Sequence, residues 1–221
     1  MVFQNSSCLV KDEGGIEECV SDEDPQDRLL SATVDNFATD RVTALAVDDP
    51  DYLPAEAEDH QGALVNKWPF EAKQETYPYW DSVTRTAVDA EFDRVDEVEG
   101  LEVYVYSVSI SDAPIEIVEG VPGTYDDDKE IWIEPLTGSI IHQIDSQARY
   151  DEDGEPVLAL ELEFTEEQVA ANVADAKESR DSLNLVRETV PAVGLGAGIP
   201  LALIGLALTV FGRRQSEPTK H

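Results

Sequence analysis

The three histidines are the residues of this sequence best suited to acid–base chemistry, and they lie far apart. His60 and His142 occur in unrelated contexts, and His221 is the last residue. A Ser-His-Asp set needs a spatial closeness that no spacing here indicates, and GxSxG, HExxH, P-loop and GxGxxG motifs are all absent. Acidic pairs are too common for any two to stand out as a glycosidase dyad. We therefore predict no catalytic residues and no enzymatic activity.

The two cysteines, Cys8 and Cys19, point to redox chemistry rather than to metal binding. Their spacing is not CxxC and no histidine lies nearby, which argues against zinc. A hairpin turning at Gly14–Gly15 would bring them together as a disulfide in an oxidising compartment, whereas a cytosolic protein would keep two free thiols. The "DEDG" stretch at 151–154 lacks the later ligands of a calcium loop and predicts a hairpin tip. We predict no metal and no cofactor.

Aromatic side chains concentrate between residues 64 and 81, and they have two interpretations. The simpler is a packed core. The other is a lining for an amphiphilic ligand, because Tyr and Trp combine an apolar body with a polar tip and ligand pockets are mostly apolar. Trp132 alternates with Ile131 and Ile133 along a strand, so it faces either a ligand groove or a second layer. The candidate lining residues are Trp68, Phe70, Tyr77, Tyr79, Trp80 and Trp132.

The charge balance excludes several classes of partner. Acidic residues number 48 against 15 basic ones, a formal charge of −33. Nucleic acid needs Lys and Arg against its phosphates, and anionic lipid surfaces repel such a chain. Hydrophobic residues still make up 42% of the sequence, so a folded core is expected.

Alternating apolar residues predict a mainly β (α+β) fold, with a curved antiparallel sheet or a sandwich. The segment 101–110 is apolar on both faces, and 130–141 indicates a hairpin around Pro135 and Gly138. We expect residues 1–26 to be loop-rich and 28–37 to pair with 41–49. We also expect a separate short strand at 113–120 and a turn in "TYDDDK", residues 124–129.

From Thr165 the period changes to that of a helix. Thr165 as N-cap and Gln168 three residues later predict a capping box, so we expect a helical stalk over 165–189. The predicted organisation has five parts: 1–27, a polar acidic leading segment with a disulfide loop; 28–164, the extracytoplasmic β domain; 165–189, the stalk; 190–212, a transmembrane helix; and 213–221, a cytoplasmic tail.

The transmembrane prediction depends on 23 residues without charge between Val190 and Gly212, since about 20 cross a bilayer. A buried core helix is the alternative. Arg213 and Arg214 place the tail inside and the acidic bulk outside. Gly194 and Gly198 fit a GxxxG packing motif. No apolar stretch of signal-peptide length opens the sequence, so we expect an N-terminal signal or helix to be missing.

The order of five segments is similar to an actinobacterial envelope family called the porin PorA family. The segments are 63–70, "TYPYWD" (76–81), "VEGLEVYVYSV" (98–108), "IWIEPLTGSII" (131–141) and the helix 161–185. The resemblance implies an extracytoplasmic β domain with membrane helices and a role in lipoglycan maturation or glycolipid trafficking. A looser similarity links the fold to lipoprotein-carrier domains that hold acyl chains.

Three functions follow as hypotheses. The leading one is a membrane-anchored, extracytoplasmic accessory protein of the cell envelope that binds or presents lipid or glycolipid of the lipoglycan or mycolate pathway. The second is a scaffold for a membrane transporter or glycosyltransferase, without a ligand of its own. The third is the porin of the family name. It is disfavoured because a pore of this kind crosses the membrane with many strands of about 9–11 residues, whereas this chain ends in a segment predicted to be an apolar helix.

Overall fold

The structure is a computed structural model in which two units are distinguished, Met1–Val173 and Ala174–His221. It describes residues 1–11, 19–21, 23–49, 51, 53–55, 57–118, 120–189, 200–202 and 204–206. Within these ranges the fold is mainly β, as predicted, with two antiparallel sheets.

The first unit contains eight strands and the first turns of a helix. The two-stranded sheet consists of β1 (Val2–Val10) and β2 (Leu29–Ala38). The six-stranded sheet has the strands in chain order: β3 (Tyr77–Asp81), β4 (Thr86–Val98), β5 (Leu101–Val118), β6 (Val121–Ile133), β7 (Ile140–Asp151) and β8 (Pro156–Glu163). Each strand therefore pairs with its sequence neighbour, which leaves β3 and β8 at the edges.

Side chains on one face of the six-stranded sheet converge across several strands. Lys129 on β6 places its Nζ 5.6 Å from the ring centre of Tyr79 on β3. These strands are three positions apart, a separation of about 14 Å in a flat sheet. The main cluster of buried side chains lies on the same face.

The hairpin predicted at 130–141 is confirmed. Strand β6 ends at Ile133 and β7 begins at Ile140. Between them Glu134 N donates to Ser139 O at 2.9 Å, and Gly138 N donates to Glu134 O at 2.8 Å. The buried Glu134 carboxylate accepts hydrogen bonds from the backbone N and Oγ1 of Thr137, both at 2.7 Å. These bonds fix the turn.

The expectation of a loop-rich start was wrong, because residues 2–10 form β1. This strand pairs with β2 from Val2↔Ala38 to Val10↔Leu29. The rings of Phe3 and Phe37 stack at 5.3 Å. The predicted pairing of 28–37 with 41–49 was therefore also wrong; the latter segment contributes only isolated bridges at Leu45 and Ala46.

Two local predictions inside the large sheet were also wrong. Residues 113–120 do not start a new strand, because β5 continues through a bulge after Ile110 as far as Val118. At the bulge Asp112 N donates to Asp126 Oδ1 at 2.8 Å, which replaces the ladder bond lost there. The "TYDDDK" segment is not a turn but the middle of β6, and its charged side chains are accommodated as described below.

Helix α1 (Glu166–Asn184) starts where predicted and is followed by a π-helical turn at Leu185–Thr189. Gln168 N donates to Thr165 Oγ1 at 3.2 Å. The reciprocal half of the capping box is not formed, because the Gln168 side chain donates to Asn172 Oδ1 instead. A helix over 165–189 is therefore present, but its role as a stalk to the membrane stays a prediction.

The membrane segment falls largely outside the described residues. Of 190–212, only 200–202 and 204–206 are described, as short helical pieces. No helix in the described ranges combines the length and the apolar character that a bilayer span requires. Gly194, Gly198 and the tail 213–221 lie outside the described residues, so the packing motif and the topology stay predictions.

Candidate functional site

An apolar groove of about 560 Å³ lies between strand β1 and the edge of the large sheet. Its volume is within the ~300–1,000 Å³ common for small-molecule sites. The walls come from four strands: β8, its neighbour β7, the end of β5 and the end of β1. The lining residues are Ser7, Cys8, Leu9, Ile117, Arg149, Val157, Leu158, Leu160 and Leu162.

The groove exposes apolar surface that the fold leaves uncovered. Leu158, Leu160 and Leu162 share one face of β8, as the alternation predicts. Leu162 is 47% exposed, Val157 48% and Leu9 39%. Scattered apolar residues on a surface are ordinary, but a contiguous apolar concavity marks a binding surface. The run from Leu158 to Leu162 extends for about 13 Å along the strand.

One cation, Arg149, lines this apolar groove. It lies on β7 between Tyr125 and Leu158 in the ladder. Its Nε is buried and has no hydrogen-bond partner, and no carboxylate of the described residues forms an ion pair with it. In a chain with a formal charge of −33, an unpaired arginine in a groove is positioned to receive an anion.

The disulfide borders the groove at β1. Cys8 and Cys19 are bonded, with their Cα atoms 6.0 Å apart, as one of the two predicted alternatives has it. Cys8 itself lines the groove. The bond ties Cys8 on β1 to Cys19 in the connection between β1 and β2.

A buried charge cluster lies on the core face beyond the groove, formed by Asp127, Lys129 and Asp145. Lys129 Nζ is 3.2 Å from Asp127 Oδ2 and 3.1 Å from Asp145 Oδ2. The three residues are 1%, 7% and 5% exposed. Lys129 and Asp145 are direct partners in the β6–β7 ladder. Two carboxylates share one ammonium here.

The cluster is electrostatically incomplete. Three carboxylate oxygens, two on Asp127 and one on Asp145, have no hydrogen-bond partner, and neither has the Tyr125 hydroxyl. Burial raises the pKa of Asp127 to about 7, although the Lys129 charge opposes this. Burial alone would lower the pKa of Lys129, but its neighbours Tyr79, Asp127 and Asp145 raise it. Among described residues no group of three or more metal-ligating side chains is placed to hold an ion.

The Asp127 carboxyl should make the free energy of unfolding fall as the pH rises, which is the opposite of the usual effect of an aspartate. Its pKa is raised to about 7 in the folded state, against about 4 in an unfolded chain. Between these values the folded state holds a proton that the unfolded state has lost, so this group lowers the free energy of unfolding as the pH rises, by up to about 1.4 kcal/mol per unit. In urea denaturation, the difference in free energy of unfolding between the Asp127→Asn variant and wild type should shift in favour of the variant as the pH rises from 5 to 7. A difference that does not change with pH would contradict this assignment.

The six aromatic residues predicted as a ligand lining are distributed through the core and its margins. Trp68 and Tyr79 belong to the main buried cluster, and Tyr77 packs against it. Trp80 is buried and its ring lies 4.8 Å from that of His60. Phe70 is partly exposed and lies under Lys67 Nζ at 4.1 Å. None of the six lines the groove.

Trp132 is buried and contacts side chains of neighbouring strands. Its Nε1 donates to Asp96 Oδ2 at 3.1 Å. The His142 ring lies at 4.8 Å and the Arg94 guanidinium at 5.5 Å from the indole. These contacts come from neighbouring strands of the same sheet, and the choice between a ligand groove and a second layer on this face stays a prediction.

Sequence reasoning missed both the groove and the cluster as sites. The leucine face of β8 was visible in the alternation, but its opposing wall came from a segment predicted to be loop. The cluster was hidden because three successive aspartates are typical of turns. A period-two inspection of 124–129 would have placed Tyr125, Asp127 and Lys129 on one face.

A known protein family matches the part of the chain that contains both candidate sites. The family model described as Porin PorA matches residues 1–207. No curated protein matches the sequence. The matched region includes all eight strands and helix α1, so the groove and the charge cluster both lie within it.

Proposed function

The chain belongs to the Porin PorA family, and from this premise we propose that it acts at the cell envelope by binding an anionic acyl amphiphile. The acyl chain occupies the groove between β1 and β8, and the anionic group reaches Arg149. We propose no enzymatic step. The observation on which the proposal depends is an apolar groove that contains an unpaired arginine.

The apolar part of the groove supports an acyl ligand. A chain lying along Leu158, Leu160 and Leu162 would cover surface that is now open to water. Each buried methylene contributes roughly 0.8 kcal/mol, so micromolar affinity, about −8.2 kcal/mol, requires about ten buried methylenes or a contribution from the anionic group. The family name refers to a porin, but the core face of the described sheet is filled by packed side chains such as Tyr106, Tyr125 and Ile131, and this favours binding over conduction.

The position of Arg149 supports an anionic end group. A carboxylate or phosphate beside the guanidinium would supply the acceptor that the buried Nε lacks. A hydrogen bond between charged groups contributes about 1.5–3 kcal/mol. A neutral amphiphile of the same chain length should therefore bind more weakly.

Binding can be measured with the naturally fluorescent fatty acid cis-parinaric acid on the full chain, followed by displacement with laurate or dodecanol. We expect laurate to displace the probe at about tenfold lower concentration than dodecanol. Arg149→Met should remove most of this preference, because the anion loses its partner. Leu160→Asp should weaken all acyl binding by about tenfold or more.

The matched control is Val95→Asp, because Val95 is an exposed apolar residue on β4 that does not line the groove. It should bind the probe as wild type does. Failure of the wild-type protein to bind cis-parinaric acid would refute the proposal, and so would equal binding by the Leu160→Asp variant.

A further inference from the structure

A second cavity, of about 820 Å³, lies at the other end of β1. Its walls are the start of β1, the turn before β7 and the first turns of helix α1. The cavity is separate from the acyl groove in its lining, since no residue lines both. The polar lining residues are Asn66, Lys67, Ser139, Thr165, Gln168 and Asn172, and the apolar ones are Met1, Phe3, Ile140 and Phe164.

Lys67 is the charged residue of this cavity. Its ammonium lies 4.1 Å from the centre of the Phe70 ring. No carboxylate of the described residues forms an ion pair with it, although the chain has 48 acidic residues. Partial burial lowers the pKa of Lys67, so an anion beside it would offset the loss of hydration. The cavity thus presents one partly desolvated positive charge without a negative partner.

The remaining polar groups of the cavity suit hydroxyl groups. Gln168 Nε2 donates to Asn172 Oδ1 at 2.7 Å, and Asn172 Nδ2 donates to Ile141 O at 3.1 Å. These bonds hold both amides in position at the wall. Asn66 and Ser139 add further donors and acceptors. Amides and hydroxyls can each donate and accept, which matches the bonding capacity of a polyol.

We infer that this cavity binds a phosphorylated polyol, with the phosphate at Lys67 and the hydroxyl groups at the amide side chains. The volume exceeds that of a phosphate alone and leaves room for an attached glycerol or sugar. The phosphorylated polyol has two possible sources, a lipid headgroup or a free metabolite, which share the chemistry that the cavity recognises. The inference does not depend on the acyl groove, because a soluble polyol phosphate has no acyl chain.

Calorimetric titration of the full chain with glycerol 3-phosphate, glycerol and lysophosphatidic acid tests this inference. We expect glycerol 3-phosphate to bind and glycerol to give no measurable heat. Lys67→Met should weaken glycerol 3-phosphate binding by about tenfold or more. Lys73→Met is the control, because Lys73 is an exposed lysine that does not line the cavity, and it should bind as wild type does.

The lipid arm distinguishes the two sources. The two ligands are compared in the Leu160→Asp variant, so that the acyl groove does not contribute. Tighter binding of lysophosphatidic acid than of glycerol 3-phosphate there supports a lipid headgroup, whereas equal binding supports a free polyol phosphate. Absence of glycerol 3-phosphate binding would overturn the inference, as would equal affinity of wild type and Lys67→Met. Either of these results leaves laurate binding in the groove unaffected, so failure here is separable from failure of the proposed function.

Discussion

Replacing Lys129 with methionine is expected to lower the free energy of unfolding by about 3–5 kcal/mol at pH 8, because it leaves two buried carboxylates without their shared cation. The ammonium is 3.2 Å from Asp127 and 3.1 Å from Asp145. Methionine fills much of the same space, so the loss is mainly electrostatic. The repulsion between the remaining charges adds to the desolvation of each.

Two further measurements identify the source of this loss. The destabilisation should shrink at pH 5, because the pKa of Asp127 is already raised to about 7 by burial and the carboxyl then takes up a proton. Adding Asp127→Asn to the variant should restore part of the stability. Lys73→Met, at an exposed lysine, should change stability by less than about 0.5 kcal/mol. An equally small effect at Lys129 would show that the cluster is not the buried ion set described here.

The substitution Gly138→Ala is expected to destabilise the fold by about 3–5 kcal/mol, the second of the two largest effects. Gly138 has φ +73°, and a Cβ there would lie 2.0 Å from the backbone oxygen of Trp68. Trp68 N donates to Gly138 O at 2.8 Å, so the turn and the tryptophan segment are held together. Moving Trp68 disturbs a fully buried ring that packs against Tyr79 and Tyr106.

Gly154→Ala supplies a matched control for this steric argument. Gly154 has φ +78°, similar to Gly138, but nothing lies within 4 Å of the added carbon. Its substitution should lower the free energy of unfolding by only about 1–2 kcal/mol, which is the cost of placing a Cβ on left-handed backbone. Thermal or urea unfolding of both variants measures the difference. Equal destabilisation by the two substitutions would mean that the contact with Trp68 is not tight.

Much of the large sheet could be predicted because its strands follow simple alternation. Residues 101–110 have apolar faces and lie in β5, and residues 130–141 form the hairpin that joins β6 to β7. The first half of β6 could not be predicted in this way. Asp127 and Lys129 are stable inside the sheet only because β7 supplies Asp145 opposite Lys129, and such compensation depends on tertiary register.

The candidate sites were less predictable than the fold, since each depends on segments far apart in the chain. The acyl groove needs β1 to lie near β8, and nothing in the sequence of residues 2–10 indicates that position. Trp68 shows the opposite problem. Its aromatic surroundings suggested a ligand lining, yet its neighbours Tyr79 and Tyr106 fill the space around it. Composition alone does not distinguish a core from a pocket.

The most direct test of acyl binding is photo-crosslinking of the full chain with a diazirine derivative of laurate, followed by peptide mapping by mass spectrometry. The groove predicts labelled peptides that contain Leu158–Leu162 and Ser7–Leu9, with the label lost when unmodified laurate is added in excess. Label confined to other surfaces, such as the aromatic segment 64–81, would contradict the account, as would label at the groove that excess laurate does not displace.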